Sequence, residues 1–451
     1  MADDTLIDAA RRAKVRAEVR AALTRRDFAG ALGLIGDRAD VEALALAGEA
    51  HGGLRQFDRA AAAYGAALRR APGRFDLMSN LASTLVELDR FGEALALFQQ
   101  ARAAAPGNAR IVANLANLLD FAGAVDDALV AYGAARALDP ADREIACNQA
   151  MALLRAGRLD EGWPLFEHRR RALDPAEAQV PRLPPLAEAP MLAGRRVLLF
   201  HEQGFGDTLQ MLRYVPLLAG CGAQVLLRVP PPLARLARSV AGVAVVVGEG
   251  DDPGPLDYQA PLMSLPLIFG TTLDTIPAEI PYLRADPTLV AAWRQRLAAL
   301  PRPRVGLVWA GSPDGGLDHR RSLRFAALGP LFAVPASFVG LQIGPAAAEW
   351  APPDGVAALD TTPWIGDFAD TAALASALDL LVTVDTSAAH LAAALGRPVL
   401  MLSRFSSCWR WLMHREDSPW YPTLSILRQP RPGDWATPVA EAARRLADFR
   451  L

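Results

Sequence analysis

Three prolines, Pro72, Pro106 and Pro140, stand 34 residues apart, and four other registers keep the same step. Ala60, Ala94 and Ala128 form one, and Ala67, Ala101 and Ala135 another. Tyr64, Phe98, Tyr132 and Phe166 form an aromatic series, and Gly48, Ala82, Ala116 and Ala150 a small-residue series. Five registers sharing one period confine the first part of the chain to a repeat architecture, and this period is that of a stacked helix pair.

Each register has a physical reason. Small residues on both helices of a pair, such as Ala82 and Ala94, let the helices approach closely. The aromatic fills the gap toward the following repeat. The proline ends the second helix, because it has no N–H and disfavours helix in the residue before it. The repeats are then 41–74, 75–108, 109–142 and 143–176, of tetratricopeptide (TPR) type, with 1–40 as an N-terminal helical cap. The last repeat is degenerate: Gly162 stands at the alanine position, and Asp174-Pro175 displaces the stop. Stacked repeats make a solenoid with a concave face. That face reads as a docking groove for a protein or peptide, or else as a packing spacer for the second half. Asn80, Asn114 and Asn148 also lie 34 apart, on first helices. They form a ladder suited to an extended peptide backbone, or are simply polar helix positions.

Composition excludes several function classes. The chain is 52% hydrophobic and 21% charged, so folded domains are expected. A net charge of −2 gives no electrostatic case for a nucleic-acid partner. Lys14 is the sole lysine, so anion contacts fall to arginine, histidine or backbone N–H groups. Cys147, Cys221 and Cys408 are far apart and match no metal spacing, so no metal is expected, and buried thiols in a reducing compartment are. The start MADDTLIDAARRAK has no signal-peptide stretch, and no run of 18 apolar residues occurs. A cytoplasmic protein without a transmembrane segment is expected.

Residues 177–194 are proline-rich and read as a linker. Beyond it, short apolar runs alternate with amphipathic segments: Arg196–Phe200, Gln224–Val229, Val243–Val247, Arg304–Trp309, Ser337–Leu341, Leu380–Val384 and Val399–Leu402. Continuous apolar runs predict buried parallel strands in α/β layers. Two Rossmann-like lobes are expected, at 195–290 and 303–451, the second closing on a helix near 435–449. The ligand site of such lobes lies at the carboxyl ends of the strands.

Three segments carry the chemistry. In RVLLFHEQGFGDTLQ a strand runs through Gln203, Gly204 and Gly206 into a helix. Asp207, at the start of that helix, is either a capping residue or a carboxylate facing the cleft as a general base. In LLVTVDTSAAHLAAALG a buried strand ends before Asp385, Thr386 and Ser387, which open a helix holding His390. A helix N-terminus binds phosphate well. His390 reads as a donor to a diphosphate or as a packing histidine. In VGLVWAGSPDGGLDHRRSL, Gly311, Ser312, His319, Arg320 and Arg321 read as an anion-binding surface or as a solvated loop. An aromatic segment, with Trp409, Trp411, Trp420 and Tyr421, suits either core packing or flanking of a base or sugar.

These segments together resemble the glycosyltransferase family of the bacterial ADP-heptose:lipopolysaccharide heptosyltransferases, in the branch where repeats precede the transferase. The resemblance rests on LDEGWPLFEHR (159–169), EQGFGDTLQMLRY (202–214), VGLVWAGSP (305–313), VDTSAAHLAAALGRPV (384–399), WRWL (409–412) and SPWYP (418–422). It implies a GT-B fold and inverting, metal-independent sugar transfer from a nucleotide-sugar donor, with no cofactor. It implies Asp207 as catalytic base and Asp385, Thr386, Ser387 and His390 as donor-binding residues. The lysine that heptosyltransferases place after the first strand of the C-terminal lobe is absent, which leaves Arg320 or Arg321 to substitute. Repeats before a transferase imply a protein acceptor, as in flagellin glycosyltransferases whose donors include CMP-linked nonulosonic acids. Two other readings stand beside this one: a glycolipid or polysaccharide transferase whose repeats recruit a partner, and a repeat scaffold that turns nothing over.

Overall fold

The computed structural model describes the backbone of residues 2–170, 179–188, 191–313 and 318–450, and side chains from Ala13 onward within these ranges. Asp174-Pro175, residues 177–178 and 189–190 of the linker and 314–317 before Asp318 lie outside the described residues. Two compact units divide the chain, Met1–Ala152 and Leu153–Leu451.

The first unit is helical: α1 Ala2–Thr24, α2 Phe28–Ile35, α3 Val41–Gly53, α4 Phe57–Arg70, α5 Phe75–Glu87, α6 Phe91–Ala104, α7 Ala109–Phe121 and α8 Val125–Leu138. Helix α9, Arg143–Arg155, runs across the division between the units. Polar residues cap the helix starts: Asp27 accepts from the Gly30 N–H at 2.9 Å, Asp40 from Ala43 at 3.1 Å, and Asn108 from Arg110 and Ile111. Helices α4, α6 and α8 each stop two residues before their proline, as the missing N–H requires. The small-residue registers are the tightest contacts, with Ala60, Ala67, Ala82, Ala94, Ala101, Ala116, Ala128 and Ala135 all fully buried. Gly48 opens its register because a Cβ there would stand 2.8 Å from the Tyr64 ring.

The fourth repeat is where the structure departs from the period. Its second helix, α10 (Leu159–Phe166), falls in the second unit. Trp163 on α10 donates from Nε1 to the Thr271 carbonyl at 2.9 Å and packs edge-on to Trp409, with ring centroids 5.3 Å apart. Phe166, last of the aromatic series, also meets Trp409. The position that elsewhere faces the next repeat here faces the α/β body, because no described repeat follows to bury it. Gly162 replaces alanine because a Cβ would lie 2.6 Å from the Leu154 side chain.

The α/β unit holds two all-parallel sheets. The first has strands β1 Arg196–Phe200, β2 Gln224–Arg228, β3 Val243–Val247 and β4 Tyr258–Pro261, in the order β3-β2-β1-β4. The second has β5 Arg304–Val308, β6 Ser337–Gly340, β7 Ala358–Asp360, β8 Leu380–Val384, β9 Val399–Ser403 and β10 Leu424–Arg428, in the order β10-β9-β8-β5-β6-β7. Relabelled from β5, this is the doubly wound order 6-5-4-1-2-3, whose direction reverses between β5 and β8. The seven strands read from apolar runs all form, each within a residue of its expected end. Strands β4, β7 and β10 were not expected; their sequences YQAP, ALD and LSILR are short or mixed. The closing helix is Ala436–Ala447. An apolar core of Val305, Leu307, Val382, Val384, Leu402 and Val439 fixes the second sheet, and so the carboxyl edge where its loops gather.

Candidate functional site

Two strand-to-helix turns meet in this unit. The first leaves β1 through Gln203, held at a φ of 64°, a left-handed conformation that costs a non-glycine residue roughly 1–2 kcal/mol. Gly204 caps the helix Phe205–Met211, and its N–H donates to Asp207 Oδ2 at 2.7 Å. Asp207 is therefore the third helical residue, reaching back to the cap. Its Oδ1 accepts from Arg410 Nη2 in an ion pair whose arginine is 8% and whose aspartate is 18% exposed. Arg410 also donates to Gln210 Oε1 at 2.5 Å and to Cys408 Sγ at 3.0 Å, and lies over the Trp409 ring at 4.2 Å. Burial works against the Arg410 charge, but Asp207, Cys408 and Asp385 together outweigh it and raise the guanidinium pKa above its ordinary value.

The second turn leaves β8 at Val384. Thr386 caps the helix Ser387–Ala394, and its side chain makes no capping bond. Its hydroxyl instead lies 3.2 Å from that of Thr383. The first-turn amides are thus left without a side-chain acceptor, beside the half-buried Asp385, Thr386 and Ser387. The two helices cross at Gly206, where a Cβ would stand 2.8 Å from the His390 ring and 3.6 Å from the Ser387 Cα. The glycine is required by this crossing.

His390 is a packed residue in this structure. It is 4% exposed, hydrogen-bonded through Nδ1 to the Tyr421 hydroxyl at 2.9 Å, and stacked on Trp411 at 5.1 Å. Burial first, then the charges of Arg410 and Arg213, hold its pKa well below the ordinary histidine value, so the ring is neutral. The aromatic segment is equally structural: Trp411, Trp420 and Tyr421 are almost fully buried. Arg213 ties this layer together, donating to the carbonyls of Trp420 at 2.7 Å and Pro277 at 3.1 Å, over the Tyr282 and Tyr421 rings.

The loop after β5 spends its own amides. Gln342 Oε1 accepts from the Trp309 and Ala310 N–H groups at 3.0 and 2.9 Å, and the Gly311 N–H goes to Ser322 Oγ at 2.9 Å. Gly311 lacks a Cβ because the Arg321 guanidinium lies against it, 2.5 Å from where that atom would be. Gly311 thus supplies room for an arginine rather than an amide for an anion. Ser312 is exposed. Arg320 and Arg321 come within electrostatic reach of Arg404, on which the Asp385 charge also acts. The structure therefore brings the second and third motifs together, as adjacent strands β5 and β8 require.

The asparagine ladder is mixed. Asn80 is exposed, whereas Asn114 is half-buried and donates to Ser79 Oγ of the preceding repeat at 3.2 Å, and Asn148 is also half-buried. Sequence reading missed Arg155, Arg404, Arg410 and Arg428, which line the Asp385 and Cys408 neighbourhood. One signal was available: Arg404 follows directly on the wholly buried strand β9, a charge at the carboxyl edge of a sheet.

Tetratricopeptide-repeat models match residues 45–109 and 85–152, and the model for glycosyltransferase family 9 (heptosyltransferase) matches 366–429. That last span covers β8, β9 and the loops carrying Asp385 and Arg410. Protein FlbA of Caulobacter vibrioides is 28% identical over 323 residues, 64% of this chain and 52% of its own length. The chain thus spans about half of that curated relative. Among solved structures, MamA from Desulfovibrio magneticus is 23% identical over 34% of this chain and 88% of its own, with a TM-score of 0.29. A thermophilic TPR protein of Thermus thermophilus is 23% identical over 34% and 86%, with a TM-score of 0.31. The chain carries tetratricopeptide repeats at its N-terminus and, after them, a domain of glycosyltransferase family 9, the heptosyltransferase family.

Proposed function

We propose that this chain is an inverting, metal-independent glycosyltransferase that moves a sugar from a nucleotide-sugar donor to a hydroxyl of a protein acceptor. One observation carries the reading. The uncapped helix start at Asp385, Thr386 and Ser387 and the turn holding Asp207 are packed against each other at Gly206, among arginines that supply positive charge. An open helix N-terminus among guanidinium groups suits a departing phosphate, and a carboxylate across the crossing suits a hydroxyl that must lose its proton.

In this reading Asp207 takes the acceptor proton or orients the hydroxyl, and Arg410 positions the carboxylate. Thr386, Ser387 and the nearby Arg320 and Arg321 stabilise the leaving group, and Asp385 orders the arginines. Ser312 lies at the rim of the same edge. His390 holds the helix crossing instead of touching the donor. The repeats dock the acceptor, with exposed Asn80 contacting its backbone and Asn114 and Asn148 contributing less freely. Flagellin is one acceptor of the right kind, and the reaction is placed in the cytoplasm. Among the described residues no helix is long and apolar enough to cross a membrane.

The test is a paired assay of donor hydrolysis and of transfer to candidate proteins. Asp207→Asn should lower transfer at least about a hundredfold. Replacing Asn80, Asn114 and Asn148 together by alanine should lower transfer and leave hydrolysis unchanged. Transfer by Asp207→Asn within about tenfold of the wild-type rate sinks the catalytic assignment. Transfer to a glycolipid with full activity after the asparagine replacement favours recruitment of a partner instead.

A further inference from the structure

The strand β9, VLMLS, is buried throughout, and the chain leaves it at Arg404. The Arg404 guanidinium makes no hydrogen bond among the described residues, and its Nε and Nη1 are shielded from solvent. The loop that follows is gripped by two more arginines. Arg155 donates to Ser406 Oγ at 3.0 Å and to the Ser407 carbonyl at 3.3 Å. Arg428 donates to Ser407 Oγ and to the carbonyls of Trp411 and Leu412, at 3.3 and 3.1 Å. Arg320 and Arg321 act on Arg404 from the loop after β5. Asp385 opposes this group, and its charge is felt by Arg404 and Arg428 alike. Arg321 has its own carboxylate, Asp318 at 3.3 Å, whereas Arg404 has the like charges of Arg155, Arg320 and Arg321 near it and, of the carboxylates, Asp385 acting on it from a distance. Burial, then the charge of Arg404, pushes Arg155 down to about 10. A shielded cation with unmade hydrogen bonds is costly unless an anion completes it.

We propose that Arg404 is an anion ligand of this chain, its two unpartnered N–H groups taking oxygens of a phosphate group seated between the 404–408 loop and the Thr386–Ser387 helix start. The inference rests on the proposed transferase reading for the source of that phosphate, and it adds the residue that holds it. A planar fork of N–H donors matches phosphate oxygens in pairs. Arg155 and Arg428 are committed to the loop they brace, whereas Arg404 Nε and Nη1 have no partner among the described residues.

The full chain is titrated calorimetrically with inorganic pyrophosphate, with orthophosphate and with CMP, as wild type, Arg404→Gln and Arg404→Lys. Pyrophosphate should bind the wild type, at least tenfold more weakly Arg404→Gln, and with intermediate affinity Arg404→Lys. The thermal midpoint of unliganded Arg404→Gln should equal or exceed that of the wild type, because a like charge beside Arg155, Arg320 and Arg321 is removed. Pyrophosphate preferred over orthophosphate and CMP assigns a diphosphate donor; equal or better binding of CMP assigns a monophosphate one. Equal binding to wild type and Arg404→Gln overturns the inference, as does a wild type that binds none of the three. A lowered midpoint in Arg404→Gln also overturns it, by making the residue structural. Arg404-dependent binding without any sugar transfer sinks the transferase reading and leaves the anion site standing. Transfer with Arg404-independent binding does the reverse.

Discussion

The turn that leaves β1 and the turn that leaves β8 both enter their helix through an extended cap residue and then diverge. At the first, the Asp207 carboxylate closes the helix start from within, one oxygen on the Gly204 N–H and the other on Arg410. At the second, Thr386 offers no side-chain cap, and the Nε and Nη1 of nearby Arg404 have no hydrogen-bond partner among the described residues. The same local geometry thus gives one end that already holds its negative charge and one that awaits it. A protein that brings an acceptor hydroxyl to a phosphate-bearing donor needs one of each.

The sharpest way to break this contrast is to remove the built-in charge. Asp207→Asn should lower sugar transfer by about a hundred- to ten-thousand-fold, the range for loss of a general base, measured as initial rate at saturating donor. Arg410→Ala should destabilise the fold by about 3 kcal/mol in urea titration, because it strands the Asp207 carboxylate, only 18% exposed. A loss under about 1 kcal/mol would mean that the carboxylate finds water, and that the first turn is as open as the second. Gly206→Ala should cost about 1–3 kcal/mol by forcing a methyl onto the His390 ring, read by the same titration.

The next test is a pH series. His390 is held neutral in the fold, so below the ordinary histidine pKa the unfolded chain takes up a proton that the folded chain refuses. Stability should therefore fall as pH drops below about 6.5, toward the depressed folded value. His390→Gln should flatten that slope in thermal midpoints. The smallest effect should come from making the two turns alike. Thr386→Asp gives the second helix start its own carboxylate, and should stabilise the unliganded protein by about 0.5–1 kcal/mol while abolishing pyrophosphate binding.

Much of this was legible in the sequence where structure is local. A 34-residue period names its own helix pairs, and apolar runs such as LLVTV name buried strands, because both signals lie within one element. The period misled only at its end: Phe166 keeps the aromatic register, yet it packs on Trp409, far along the chain. The turn at Asp207 was visible as a glycine-rich strand exit. Its partner Arg410 was not, since 203 residues separate them and one arginine among 47 basic residues carries no mark of its contacts. The same holds for Arg155, Arg404 and Arg428, which converge from three segments. His390 shows a related difficulty: the sequence left it open between ligand and packing residue, and its bond to the Tyr421 hydroxyl, 31 residues on, could not be read from its own segment.

The cation inventory has a chemical consequence for control of the site. Lys14, exposed on α1, is the sole ε-amine of the sequence, and every positive charge named around Asp385 is a guanidinium. Acylating metabolites and amine-directed reagents consume lysine and leave arginine intact. Such chemistry would mark the repeat unit at its one lysine while the charge around Asp385 stays whole, so Lys14 offers a side-chain attachment point for a dye or a surface that leaves those arginines untouched.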